Sequence, residues 1–278
     1  MKPVWLDKKI NLKNCSIMKK ALRDLQVETV CEQAMCPNMG ECFARNEATF
    51  LILGRSCTRM CSFCNINKSV PIAPDLDEPV RVAEAVKALG LKHVVITSVT
   101  RDDLVDGGAA IFAKTVMHIR EKSPNVRIEV LVPDFGLSLS AIKAVVDTRP
   151  SIFAHNLETV PALYKIVRQG ADYLRSLSLL RVIKEIVPDL KTKSALMLGM
   201  GEKQEEIISV MKDLRSVKCD FLSIGQYLAP SKQHYPVKEY IRPAQFDYYK
   251  EKGRGLGFLH IESAPYVRSS YMAAKYLS

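Results

Sequence analysis

The chain has 278 residues, 47% of them apolar, which suffices for a sizeable core in one large domain or two small ones. Forty Lys and Arg against 30 Asp and Glu give a formal charge of +10, but the basic residues are scattered without interleaved aromatics, so nucleic-acid binding is not expected. No apolar run approaches the ~18 residues of a membrane span, and Met1 to Ile10 hold no signal-like apolar core; a soluble, cytosolic chain with reduced thiols is expected.

Residues 11–30 read as an amphipathic lead-in, with Ile17, Met18, Leu22 and Leu25 near helical spacing. Cys15 stands apart there, as Cys219 does later, and both read as inert thiols. The other six cysteines fall in two triads. Cys31, Cys36 and Cys42 are spaced C-x4-C-x5-C; Cys57, Cys61 and Cys64 are spaced C-x3-C-x2-C. Closely spaced thiolates on loops suit the corners of a cubane iron–sulfur cluster. Three of them leave one iron open to a substrate or cofactor, the same logic that separates catalytic from structural zinc. Zinc itself favours paired C-x2-C knuckles, and disulfides do not suit a reducing compartment.

A short apolar strand, Ala48 to Leu53, separates the triads. After Cys64 helices and strands alternate. Helices are expected over 80–89, 108–122, 138–146, 160–168, 173–187 and 202–217; strands over 93–97, 127–132, 152–156, 193–198 and 221–224. About six strands alternating with helices argue a parallel α/β barrel, complete or partial. Chemistry in such barrels gathers at the C-terminal strand ends. Those ends are polar here: Thr97 to Asp103, Pro133-Asp134, His155 to Glu158, and Gly199 to Glu202. Gly199 and Gly201 read either as a turn or as a place for close backbone approach to a ligand. His155 and His234 are given no part in the chemistry.

The C-x3-C-x2-C triad after a first strand resembles the radical S-adenosylmethionine superfamily. Further segments narrow this to the lipoyl synthase family: Val30 to Cys42, Val95 to Ala109, His155 to Val160, Thr192 to Ser194, Gly225 to Leu228, and Val267-Arg-Ser-Ser-Tyr271. The resemblance runs from about Val4 to Tyr271 and implies a partial (β/α)6 barrel of the radical SAM type over 49–228. N-terminal (1–48) and C-terminal (229–278) extensions would carry an auxiliary cluster. It implies two 4Fe–4S clusters. One, on Cys57, Cys61 and Cys64, binds S-adenosylmethionine. The other, on Cys31, Cys36, Cys42 and Ser270, with Ser269 as the alternate, gives up sulfur. The implied reaction is radical abstraction of hydrogen at C6 and C8 of a protein-bound octanoyl chain, followed by sulfur insertion.

Ser98, Arg101, Asn156 and Glu158 resemble positions facing S-adenosylmethionine and substrate; Lys193 and Ser194 resemble rim positions. Implied partners are octanoylated lipoyl carrier domains (2-oxoacid dehydrogenase E2 subunits, glycine cleavage H protein) and an electron donor such as flavodoxin or ferredoxin, with no nucleic acid and no membrane. The basic surface would favour acidic carriers. Two features depart from the family pattern. Ala264 stands where a glycine is usual and was expected to restrict the turn before Ser270, and Ala229 stands where glutamine or arginine is usual. A methylthiotransferase lacks the terminal serine motif, and a ferredoxin-type carrier saturates each cluster with four cysteines.

Overall fold

The computed structural model describes residues 2–8 and 15–277. Its residues form two compact units, each assembled from separate stretches of chain. One holds residues 10–59, 66–153 and 272–278; the other holds 1–9, 60–65 and 154–271.

In the first unit α1 (Cys15–Asp24) buries Cys15, Met18 and Leu22. Ile17, expected on that apolar face, is exposed instead, and residues 11–14 of the expected lead-in lie outside the described residues. A two-residue strand, β1 (Glu28–Thr29), pairs antiparallel with β2 (Thr49–Ile52). Between them come α2 (Val30–Gln33) and α3 (Met39–Ala44). Thr29 caps α2 by accepting the Glu32 N–H at 3.3 Å.

β2 then pairs in parallel with β3 (His93–Ser98), and β3 with β4 (Arg127–Leu131). The crossovers are α4 (Glu78–Ala88) and α5 (Ala109–Lys122), and α6 (Leu139–Val146) follows β4. β2 is buried along its whole length and β3 along all but its last residue. This is why they read as unbroken apolar runs rather than alternating ones. α4, α5 and α6 turn Val82, Val86, Phe112, Val116, Ile142 and Val145 into the core, each essentially inaccessible. Each such side chain contributes about 1.5–3 kcal/mol of burial.

β5 (Ile152–Ala154) carries the border between the units. The strand expected over 152–156 stops here, and His155 N–H instead donates to Lys193 O at 3.0 Å. The expected helix over 160–168 divides into a 3-10 turn, Pro161–Leu163, and α7 (Tyr164–Val167). α8 (Tyr173–Ile186) is capped by the Asp172 carboxylate, which accepts the Arg175 N–H at 2.7 Å. β6 (Lys191–Leu198), β7 (Phe221–Gln226) and β8 (His260–Ser263) run parallel in chain order. α9 (Gln204–Ser216) and α10 (Pro243–Gly255) supply the crossovers. Their core joins Leu196, Val210, Leu214, Leu222, Ile224 and Phe246. Among the described residues eight strands form where about six were expected; β1 and β8 are the additions.

Candidate active site

The first triad rides on helices rather than on an open loop. Cys31 sits in α2, Cys42 in α3, and Cys36 on the turn joining them, where its N–H donates to Cys31 O at 3.0 Å. Burial pushes the Cys31 thiol up to about 12, with added repulsion from Cys36 and Cys42. Burial likewise pushes Cys42 up to about 12, with Cys36 and Glu47 adding to it. The three thiols therefore stand within one another's electrostatic reach. Arg45 lies alongside, its Nη2 donating to Cys42 Sγ at 3.8 Å. Among the described residues no group of three or more His, Cys, Asp or Glu side chains stands ready to hold a metal ion. The chemistry of the donor set nevertheless fits one: soft thiols kept protonated by burial and mutual repulsion are relieved by a cation that takes them as thiolates.

Cys57 has a different setting. Its sulfur accepts the Thr100 N–H at 3.3 Å and the Arg59 N–H at 3.5 Å. Thr58 is stitched to the same strand end: its N–H and Oγ1 both donate to Thr100 O at 3.0 Å, and its Oγ1 accepts the Asp102 N–H at 3.0 Å. Arg59 lies across two carboxylates, Asp102 after β3 and Asp134 after β4. Arg101 is tied to Asp103 through Nε and Nη2, each at 2.8 Å, and to Leu53 O at 3.3 Å. That pairing holds the Asp103 carboxyl below the usual range. Ser98 Oγ is buried with no hydrogen-bond partner among the described residues.

Cys61 and Cys64 belong to the second unit, where Ser62 N–H donates to Val167 O at 2.9 Å and Tyr235 N–H to Ser62 O at 2.9 Å. Asn156 and Glu158 meet there: Asn156 Nδ2 donates to Glu158 Oε1 at 2.9 Å, and Asn156 Oδ1 accepts Ser269 Oγ at 2.9 Å. Glu158 has a left-handed backbone, φ 66°, unusual for a non-glycine residue and a mark of local constraint. Burial pushes its carboxyl up, and Arg168 and Asn156 oppose that. Lys193 is fully buried, and Ser194 Oγ accepts the Leu157 N–H at 3.1 Å. His155 is a packed histidine bonded to Ser176 at 3.0 Å, and His234 bonds Ser231 at 2.8 Å.

The terminal Arg268-Ser-Ser-Tyr271 segment is seated by β7. A Cβ on Gly225 would lie 1.9 Å from Val267 O, so only glycine admits this approach. Gln226 N–H donates to Pro265 O at 3.1 Å. Its side chain fastens the neighbouring loop, Nε2 donating to Glu239 O at 3.0 Å and Oε1 accepting the Ile241 N–H at 2.8 Å. Ala264 does not hinder the turn: Val267 N–H reaches Ala264 O at 3.0 Å, and Ala264 needs no left-handed backbone. Ala229 packs on the cluster of Val167, Met200 and Tyr227. A Cβ on Gly199, φ 102°, would meet Gln226 Nε2 and Glu239 O, each at 2.3 Å, so packing alone requires glycine there.

Two arginines escaped the sequence reading. Arg59 lies inside the second triad and was passed over as spacing; its partners are 43 and 75 residues away. Arg168 is buried, bonded to Tyr164 Oη at 2.8 Å and Ser176 Oγ at 3.2 Å, and faces the charges of Glu158 and Cys61. Only a buried cation ten residues beyond Glu158 would have signalled it.

Residues 51–214 match the radical SAM superfamily. The chain is 56% identical over 276 residues to a lipoyl synthase of Geobacter sp. (strain M21), covering 99% of this chain and 94% of that one. It is 57% identical over 276 residues to a lipoyl synthase of Trichlorobacter lovleyi, covering 99% and 98%. The chain belongs to the lipoyl synthase family. Solved structures extend the likeness in fold alone. The FeFe-hydrogenase maturase HydG from Carboxydothermus hydrogenoformans aligns with TM-score 0.62 at 14% identity, over 91% of this chain and 66% of that one. Streptococcus suis SuiB bound to S-adenosylmethionine aligns at 0.61 and 14%, over 91% and 61%. This chain therefore shares its fold with proteins of quite different sequence. No helix among the described residues is long and apolar enough to cross a membrane.

Proposed function

We propose that this chain is a lipoyl synthase that inserts two sulfur atoms, at C6 and C8, into an octanoyl group carried on a lysine of a lipoyl carrier domain. The observation that carries this is 55–57% identity to lipoyl synthases over 99% of the chain. Cys57, Cys61 and Cys64 hold the cluster that binds S-adenosylmethionine; Cys31, Cys36 and Cys42 hold the auxiliary cluster. When bound, these groups supply an electron, a 5′-deoxyadenosyl radical and the sulfur. An unactivated alkyl C–H bond has no acidic proton, so the side chains serve to bind, orient and exclude rather than to act as acid or base.

Ser270 is the fourth auxiliary ligand in this reading. Ser269, the alternate, donates its hydroxyl to Asn156 Oδ1 at 2.9 Å. An alkoxide is a harder, poorer partner for iron than a thiolate, which suits a corner that must come apart. Ser98, Asn156 and Glu158 face the cofactor and substrate; the unpartnered Ser98 hydroxyl is a donor waiting for one of them. Arg101 faces them too, and Lys193 and Ser194 shape the rim. The carrier is the E2 subunit of a 2-oxoacid dehydrogenase or the glycine cleavage H protein, and a flavodoxin or ferredoxin brings the electrons.

The test is an anaerobic turnover with iron, sulfide, S-adenosylmethionine, a strong reductant and an octanoyl-lysine peptide. Gain of two sulfurs by the peptide, with 5′-deoxyadenosine formed, is expected. Deoxyadenosine with an unchanged peptide mass would remove the assigned substrate or the auxiliary cluster.

A further inference from the structure

Arg59 makes more contacts than an ion pair requires. Its Nε and Nη2 donate to the two oxygens of Asp102 at 2.8 and 2.9 Å, and its Nη1 and Nη2 donate to the two oxygens of Asp134 at 2.8 and 2.7 Å. One carboxylate would neutralise the guanidinium; two leave the group at a formal −1. The second fork therefore adds geometry rather than neutrality. The Asp134 side chain is completely buried, and that of Arg59 is 6% exposed. Asp134 is itself fixed, accepting the Gly136 N–H at 3.1 Å, and the next three residues are all left-handed: Phe135 (φ 47°), Gly136 (57°) and Leu137 (59°). Phe135 anchors that turn edge-on against Phe112, ring centroids 6.0 Å apart.

The clamp sits two residues from Cys57. The backbone N–H of Arg59 itself and that of Thr100, two residues before Asp102, are the groups on the Cys57 sulfur. We propose that Arg59 is a positioning residue for the S-adenosylmethionine-side cluster: its double fork on Asp102 and Asp134 fixes residues 57–59 against the ends of β3 and β4, and so holds two N–H donors on the Cys57 sulfur. Donors on a ligating sulfur favour the more negative, reduced state of a cluster. The clamp acts on how readily that cluster accepts an electron, through the backbone around Cys57. This rests on the proposed function only in taking Cys57 as a cluster ligand.

Charge and position make opposite predictions. The full-length chain carrying Cys31→Ala, Cys36→Ala and Cys42→Ala is reconstituted anaerobically, so that one cluster is read. Its reduced-to-oxidised ratio is measured by electron paramagnetic resonance at a fixed solution potential. Asp134→Asn removes a negative charge and breaks one fork. Loss of positioning lowers the ratio, to about one tenth, or ~59 mV for a one-electron couple; simple charge removal raises it. Arg59→Lys keeps the charge and cannot fork, and the same fall is expected. An unchanged or raised ratio in either variant overturns the proposal. So does a variant that loses iron and melts at lower temperature when iron-free, because the clamp is then a general support of the fold. Failure of the parent chain to bind iron at all would sink the proposed function itself, before any variant is compared.

Discussion

The surroundings of Cys31 and of Cys57 solve opposite problems within one compact unit. The Cys31 triad is built on short helices and the turn between them, and the Cys31 and Cys42 thiols are pushed up by burial and by neighbouring thiols. The Cys57 sulfur is met by two backbone donors on a stitched, clamped turn. The first setting disfavours thiolates and would be relieved by a cation that takes them. The second is organised in advance by backbone donors. On the proposed function, a sulfur donor that is taken apart and a cofactor site that must last would call for that division.

The largest effect comes from removing one thiol at a time. Cys57→Ala is expected to abolish 5′-deoxyadenosine formation, by at least about a thousandfold, because its cluster carries the S-adenosylmethionine. Cys31→Ala is expected to leave deoxyadenosine formation within about tenfold and to stop sulfur gain by the peptide. Equal loss of deoxyadenosine in both would erase the contrast.

Gly225→Ala sharpens it from the serine side. The added methyl meets Val267 O, and relief of such overpacking costs about 1–3 kcal/mol. Sulfur insertion should fall about 10- to 100-fold with deoxyadenosine formation retained, read by the same two assays. The smallest effect is a pH dependence of the iron-free fold. Cys31 and Cys42 have thiols raised from 9.0 to about 12, so the stability they contribute is present below pH 9 and is lost as pH rises from 9 toward 12. Thermal melting across that window should show a fall that Cys42→Ala reduces. A fall untouched by Cys42→Ala would refute the account of the first triad.

The alternation of helices and strands after Cys64 was legible because buried parallel strands are unbroken apolar runs and their crossover helices keep a 3.6-residue period. The cysteine triads were legible as spacing. What escaped was short or distant. β1 has two residues and α2 four, below any window in which periodicity can be counted, although Thr29-Val-Cys-Glu32 carries a capping pattern. α10 buries only Phe246, Tyr249 and Gly253, so its polar residues masked it. Within the site, Asn156 and Glu158 stood out by family resemblance, and their mutual bond, the Ser269 contact spanning 113 residues and the Arg59 clamp joining three loops are features of the fold. Contacts of that range leave no local pattern. The glycine missing at 264 proved harmless, because the turn there is one that any residue can make.

Near the N-terminus, a 3-10 turn at Val4–Leu6 presents Leu6 O to the Tyr266 hydroxyl, and Lys8 Nζ lies 4.8 Å from the Tyr266 ring centroid and 5.9 Å from that of Tyr271. Leu6 and Lys8 thus hold residues some 260 positions further along the chain. At a synthesis rate of roughly 5–20 residues per second, they wait on the order of tens of seconds for their partners. A contact of that span closes only after both stretches have been made, so the segment from Tyr266 to Tyr271 is seated late, whatever the order in which the strands between them pair.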